Sequence, residues 1–275
     1  MGRFGNSWKL MKTSFGVLRK DKEILLFPLL SLIVSVLILI SFFTSFIFFI
    51  GIEQILNEYV LWVLLFIIYI VLFFVVIFFN TAVVGCATIR LNGGDPTVGD
   101  GFRIAGKHIG KIFLWAVVSA IIGVILKAIQ RKGGLAGRIV AGIAGFAWTY
   151  ATFFIIPVLI YEDKGVFKSI KRSAQIFKIT WGETFIGSFG FGIIFFLLAL
   201  VGILFIIAGA MFGMTGIIIG LIVACVYWLI IGIVASATNG IYVAALYQYA
   251  TKKKLPGDFD ESMIPKPQYP PNQVY

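Results

Sequence analysis

Cysteine is nearly absent from this sequence of 275 residues: there are two, Cys86 and Cys225, and both fall inside apolar stretches. A disulfide framework or a thiolate metal site is therefore not what organises the chain. Histidine is scarcer still. The single imidazole, His108, lies between Lys107 and Lys111 with no second His or Cys to complete a metal site or activate a nucleophile, and it reads as a polar residue at a membrane surface. Charged residues make up only 13% of the chain, and the 12 acids among them fall in expected loops, helix ends or the tail. An ion-coupled pump built on a buried carboxylate is disfavoured by that placement. No phosphate-binding glycine loop, nucleophile elbow, His-Glu-x-x-His or dinucleotide fingerprint occurs. The chain is expected not to be an enzyme, with no cofactor and no metal.

What is abundant is apolar: 60% of the residues are hydrophobic, 28 are Phe, and the mean hydropathy is +1.02. Soluble chains are nearer half apolar and a quarter charged, so the bilayer is the expected solvent. The net charge of +11 comes from short basic blocks beside apolar runs. Membrane topology and anionic headgroups account for such blocks, and nucleic acid is not an expected partner. The first apolar run is too long for a signal-peptide core and is expected to be retained, and the start lacks the Ser or Thr that myristoylation requires.

A spanning helix needs about 20 apolar residues. Five segments meet that length: Ile24 to Ile50, Tyr59 to Ile89, Arg138 to Tyr161, Thr184 to Phe212 and Gly216 to Tyr249. A sixth, Ile112 to Leu126, would cover only about 22 Å of a hydrocarbon layer about 30 Å thick and is expected to be short or re-entrant. The fold class expected is an all-α polytopic membrane protein of six helices in three hairpins, each preceded by a basic amphipathic interfacial stretch. In residue numbers, one integral membrane domain covers 1–250. It holds an interfacial helix 3–20, a hairpin 24–90, an interfacial segment 97–111, a hairpin 112–161, an interfacial helix 165–182 and a hairpin 184–250. Residues 251–275 form a cytoplasmic, Pro-rich tail expected to be disordered.

Orientation follows from Lys and Arg. With six spans, nineteen of the 23 basic residues lie on one side, so both termini are expected in the cytoplasm of a cell-membrane protein. The turns near Glu53 and Met214 read as external. Lys127, Arg131, Lys132 and Arg138 break the pattern, because they flank an expected external turn. Snorkelling from a short third helix is one account of them; a basic external mouth that concentrates anions is the other.

The segment from Ser7 to Gly16 aligns without gaps to the segment from Ser173 to Gly182, sharing the Ser, the Lys12/Lys178 position, an aromatic and the Gly. This reads as an internal repeat, with hairpins related by an axis along the membrane normal and amphipathic stretches lying apolar face down in the interface.

Within the apolar runs, Asn80, Thr152 and Asn239 each lie about ten residues, or about 15 Å, before the cytoplasmic end of a returning helix. With Thr81 and Thr149 they form a candidate intramembrane polar layer. Such groups serve either as hydrogen-bonding glue between helices or as the lining of a path. Pro157 removes a backbone donor, which predicts a kink with Thr149 and Thr152 available to cap freed carbonyls. Gly209/Gly213 and Gly216/Gly220 have the spacing of close helix packing. Glu162 and Asp163 read as partners for Lys164 or Lys168, and Asp258, Asp260 and Glu261 as solvated tail.

The run Trp148 to Gly165, with Tyr161-Glu-Asp-Lys164 at its end, and the run Ser169 to Glu183 resemble the DUF6159 family of multi-pass membrane proteins. The resemblance extends to Lys22 to Pro28, Trp115-Ala116, Ser119 to Gly123 and Leu255 to Asp260. It implies membrane location and carries no activity. The basic start and Phe27 to Leu30 also bear a likeness to CysZ-like sulfate permeases, confined to that segment. These readings lead to an expected non-enzymatic membrane protein, oligomeric and in contact with lipid, that forms or supports a permeation pathway, with anions as possible cargo. The alternatives are a membrane-organising or lipid-binding scaffold and, third, a membrane-embedded lipid-modifying enzyme.

Overall fold

The computed structural model describes residues 3–55, 58–180, 190–252 and 259. Ten α-helices and one 3₁₀ turn occur among the described residues, and no strand. They are α1 (Arg3–Lys20), the 3₁₀ turn Lys22–Leu25, α2 (Leu26–Ile55), α3 (Glu58–Leu91), α4 (Val98–Lys107), α5 (Ile109–Lys132), α6 (Gly134–Ala151), α7 (Ile155–Tyr161), α8 (Val166–Thr180), α9 (Gly190–Ala210) and α10 (Gly213–Lys252).

Five stretches among the described residues are long and apolar enough to cross a membrane: Lys22–Ser45, Tyr59–Leu91, Ile109–Lys132, Gly134–Tyr161 and Gly213–Thr251. The chain is thus a multi-pass membrane protein by length and composition. The third expected span is not short: α5 runs for 24 residues, about 36 Å, because the helix continues through Lys111 and Lys127 instead of stopping at them. The fifth expected span begins in residues outside those described, and its apolar part Ile194–Ala210 is shorter than the other five. Glu53, expected at a turn, lies within α2, which runs on to Ile55; residues 56–57 and nearly all of the tail 251–275 lie outside those described.

The chain divides into two compact units. One comprises residues Met1–Leu25, Ala87–Asp95 and Lys178–Tyr275. In it α9 and α10 form a hairpin joined through Gly213, which has φ +73°, a left-handed conformation that favours glycine. The pairing depends on missing side chains. A Cβ on Gly209 would lie 2.3 Å from the carbonyl oxygen of Gly216, and one on Gly220 would lie 2.5 Å from that of Phe205. Further along, Trp228 Nε1 donates to the carbonyl of Ala199 at 2.8 Å, over Gly202. Helix α1 packs against both α9 and α10, burying Ser14, Val17 and Leu18.

The second unit comprises residues Leu26–Cys86 and Pro96–Phe177. Pro28 stands in the first turn of α2, where its missing N–H would have had no partner in any case. Helix α4 starts at a complete capping box. The Thr97 hydroxyl accepts from the Asp100 amide at 3.2 Å, and the Asp100 carboxylate accepts from the Thr97 amide at 2.9 Å. Gly101 sets α4 close to its neighbours, since a Cβ there would lie 2.2 Å from the Phe27 ring and 3.0 Å from Cys86 Sγ. Helices α5 and α6 form a hairpin about Gly133 and Gly134, the latter at φ +55°.

Candidate functional site

Each threonine of the expected polar layer satisfies its own hydroxyl locally. Thr81 donates to the carbonyl of Ile77 at 2.8 Å, Thr149 to that of Gly145 at 2.9 Å, and Thr152 to that of Trp148 at 2.8 Å. Thr238, near Asn239, does the same toward Val234 at 2.6 Å. These are bonds four residues back along the same chain, so none of these donors is used between helices. Asn80 is half-buried and Asn239 exposed. Neither amide has a hydrogen-bonding partner among the described residues.

The kink expected at Pro157 takes the form of a full break, three to five residues earlier. Helix α6 stops at Ala151 and α7 starts at Ile155, with Thr152, Phe153 and Phe154 between them. Pro157 has no N–H to return to the carbonyl of Phe153, so the ladder cannot continue through that turn. The donor left over on the other side of the break is the Phe154 N–H, and it donates to Ser173 Oγ of α8 at 3.0 Å. Both residues are fully buried. Around them Phe177 packs edge-on to Tyr150 and Phe153, with ring centroids 5.0 and 5.9 Å apart. The inward side of α8, with Val166, Ser173, Ile176 and Phe177, thus seals the break in the spanning helix instead of facing lipid as expected. Replacing Ser173 by alanine should leave a buried N–H unpaired and lower stability by about 1–3 kcal/mol, measured as thermal unfolding in detergent.

Just past α7 the chain gathers charge. Glu162 accepts from Lys164 Nζ at 2.5 Å and from Arg172 Nε at 3.0 Å, and Lys111 Nζ of α5 donates to Asp163 at 2.5 Å. Lys164 is the expected partner of Glu162, whereas Arg172 and Lys111 lie too far off in sequence to be read as partners. Burial pushes the Glu162 carboxyl up, but the hydrogen bonds and charges of Lys164 and Arg172 outweigh it and hold the group below its ordinary 4.5. The Lys111 hydrogen bond and charge likewise hold Asp163 low.

His108, half-buried between α4 and α5, is held below its ordinary 6.5 by burial and by Lys111 and Lys107, against the opposing charge of Asp163. Groups held low in the folded state favour folding at high pH and lose that contribution as pH falls through their lowered values. Stability should therefore decline in two stages. The first begins below 6.5 and is absent in the His108→Gln variant. The second lies below 4.5 and is reduced in the Glu162→Gln variant, as checked by melting temperature against pH.

In the second unit, one flank of α3 and one flank of α5 enclose a cleft of about 540 Å3. It holds three of the four residues of the expected basic mouth, Lys127, Arg131 and Lys132; Arg138 is not among its lining residues. The Lys127 ammonium sits 5.8 Å from the centre of the Tyr69 ring, and the Arg131 guanidinium 5.5 Å from that of Trp62. Both separations suit a cation on an aromatic face. The aromatic partners were legible in principle: Trp62, Phe66 and Tyr69 recur at helical spacing, although aromatic residues near a helix end read first as an interfacial belt.

A family described as of unknown function, DUF6159, matches residues 59–257. The chain belongs to that family. The match covers α3 to α10, hence both the cleft and the charge cluster after α7. A search of the curated proteins found no match.

Proposed function

We propose that this is a non-enzymatic protein of the cell membrane, both termini cytoplasmic, that organises anionic lipid at the inner surface. The observation that carries this reading is the outward side of two short helices of the second unit. Phe102 of α4 is exposed beside Arg103 and Lys107, and Phe167 of α8, 70% exposed, is followed by exposed Lys168 and Lys171. An exposed ring beside several cations suits the headgroup layer, where the ring enters the acyl boundary and each cation near an anionic leaflet contributes about 1 kcal/mol. The inward sides of the same helices are fixed by the capping box and by the Glu162 and Ser173 contacts, which would hold that surface in place.

The test is lipid composition. Full-length protein in mixed vesicles should enrich anionic over zwitterionic lipid in its recovered shell, and the pair Lys168→Glu with Lys171→Glu should remove about half of that enrichment or more. Unchanged enrichment in the pair would defeat the reading. A permeation pathway is the second reading, favoured by the half-buried Asn80 amide without a partner among the described residues. Vesicle flux that persists unaltered when Asn80 and Asn239 are both replaced by leucine argues against it.

A further inference from the structure

Two sets of cations lie at opposite ends of α5, and only one of them is neutralised. At the start of the helix Lys111 pairs with Asp163. At the far end Lys127, Arg131 and Lys132 are all exposed, and no carboxylate among the described residues lies within ion-pairing distance of any of them. These are the charges that break the rule of positive loops inside, and they come at the end of a helix about 36 Å long, which reaches the opposite headgroup layer. Uncompensated charge there needs a counter-charge or water.

The cleft determines which. Arg131 over Trp62 and Lys127 over Tyr69 form two cation–aromatic rungs, with the aromatic residues seven positions, about 10.5 Å, apart along α3. The rungs hold the aliphatic stems against the wall and restrain the charged ends, so an arriving anion meets cations already positioned. Beside and between them the walls are carbon: Leu65 and Phe66 on one helix, Val124 and Ala128 on the other. Gly123, next to Val124, lets Tyr69 lie close against α5, because a Cβ there would lie 2.8 Å from the Tyr69 hydroxyl. A small free anion uses the cations and leaves this apolar trough unfilled. A molecule with a negative head and a hydrocarbon tail uses both.

We propose that this cleft is a binding site for one anionic phospholipid of the leaflet opposite α4 and α8, its phosphate held by Lys127, Arg131 and Lys132 and an acyl chain lying in the trough. The site is separate from the proposed inner-surface function and uses none of its residues. It also explains why a basic turn is tolerated on the side where the charge rule disfavours one: the counter-charge is lipid.

The test is native mass spectrometry of the full-length protein released from nanodiscs of phosphatidylcholine with a minor share of phosphatidylglycerol. The wild type should retain one phosphatidylglycerol per chain at increasing collision energy. Each lost cation weakens an interfacial anion site about fivefold, so the triple glutamine variant of Lys127, Arg131 and Lys132 should bind about 100-fold more weakly. The three side chains are exposed, so the fold should survive their replacement, with the melting temperature in neutral detergent as the control.

A second variant, Val124→Trp, fills the trough and keeps every cation; it too should lose the lipid. Titration with inorganic phosphate separates the two sources of the anion and should not raise the melting temperature of the wild type. Retention of the lipid by the triple variant, retention by Val124→Trp, or stabilisation by inorganic phosphate equal to that by phosphatidylglycerol would each overturn the assignment.

Discussion

Replacing Asp21 by asparagine is expected to destabilise the protein by about 3 kcal/mol. Asp21 follows α1 directly, is only 6% exposed, and receives both a terminal nitrogen and the Nε of Arg90 at the end of α3, with Nη2 to Oδ1 at 2.7 Å. A second terminal nitrogen of the same guanidinium donates to the carbonyl of Gly94 at 3.3 Å. One residue thus ties the turn before α2 to the glycine-closed end of α3. There the Gly94 amide donates to the Ile89 carbonyl at 3.0 Å and Gly93 takes φ +86°.

Asparagine keeps the shape of the carboxylate but removes the buried counter-charge, leaving a half-buried guanidinium that faces an amide and keeps only the solvent-exposed Asp95, 3.3 Å from its Nη2. The converse double change, Asp21→Leu with Arg90→Met, removes both charges together. It should cost far less than the sum of the single changes, because a buried pair replaced by apolar groups is nearly neutral while a broken one is not. Melting temperatures in detergent of the wild type, Asp21→Leu, Arg90→Met and the double variant give the coupling. Additive losses would show that the pair contributes nothing beyond its separate residues.

The second large effect is at Gly216. A side chain there meets the carbonyl oxygen of Gly209 at 2.2 Å and Phe212 Cβ at 2.7 Å. The first of these is backbone, which cannot rotate aside, so leucine at 216 must push α9 and α10 apart near their turn. The loss should be about 3 kcal/mol. Gly232, on the same helix with nothing within 4 Å of its would-be Cβ, is the control: leucine there should change stability by about 0.5 kcal/mol or less. Equal effects at the two positions would mean that helix propensity, and not contact with α9, sets the cost.

Long apolar runs made the spanning helices visible in the sequence, because crossing lipid demands a length and a composition that few other constraints require. The misreadings have physical causes. Lys111 and Lys127 look like the ends of a helix when charge alone is counted, yet a lysine stem lets the backbone continue while its ammonium reaches water or a partner, and α5 does continue. Pro157 is plain in the sequence, but where the break falls depends on which partner rescues the stranded amide, and Ser173 lies 19 positions away from Phe154.

Asp21 carries no mark at all. Its partner Arg90 is 69 residues distant, and only the fold brings them together. How the hydroxyls of the polar layer are bonded was not legible, since a threonine in a helix can turn its hydroxyl back on its own chain, and Thr81, Thr149 and Thr152 do. Half of the cleft was legible: its cations stood out because they broke a rule, while Trp62 and Tyr69 looked like ordinary interfacial aromatics.

Both proposals depend on α6 and α7 crossing the bilayer, with the turn at Leu135 on one side and Lys168 on the other. The direct test places single cysteines at Leu135→Cys and Lys168→Cys, both exposed positions, in a chain with Cys86→Ala and Cys225→Ser, and treats intact cells with a membrane-impermeant maleimide. Leu135→Cys should label in intact cells, and Lys168→Cys only after the membrane is opened. Labelling of both from the same side, or in the reverse order, would contradict the account.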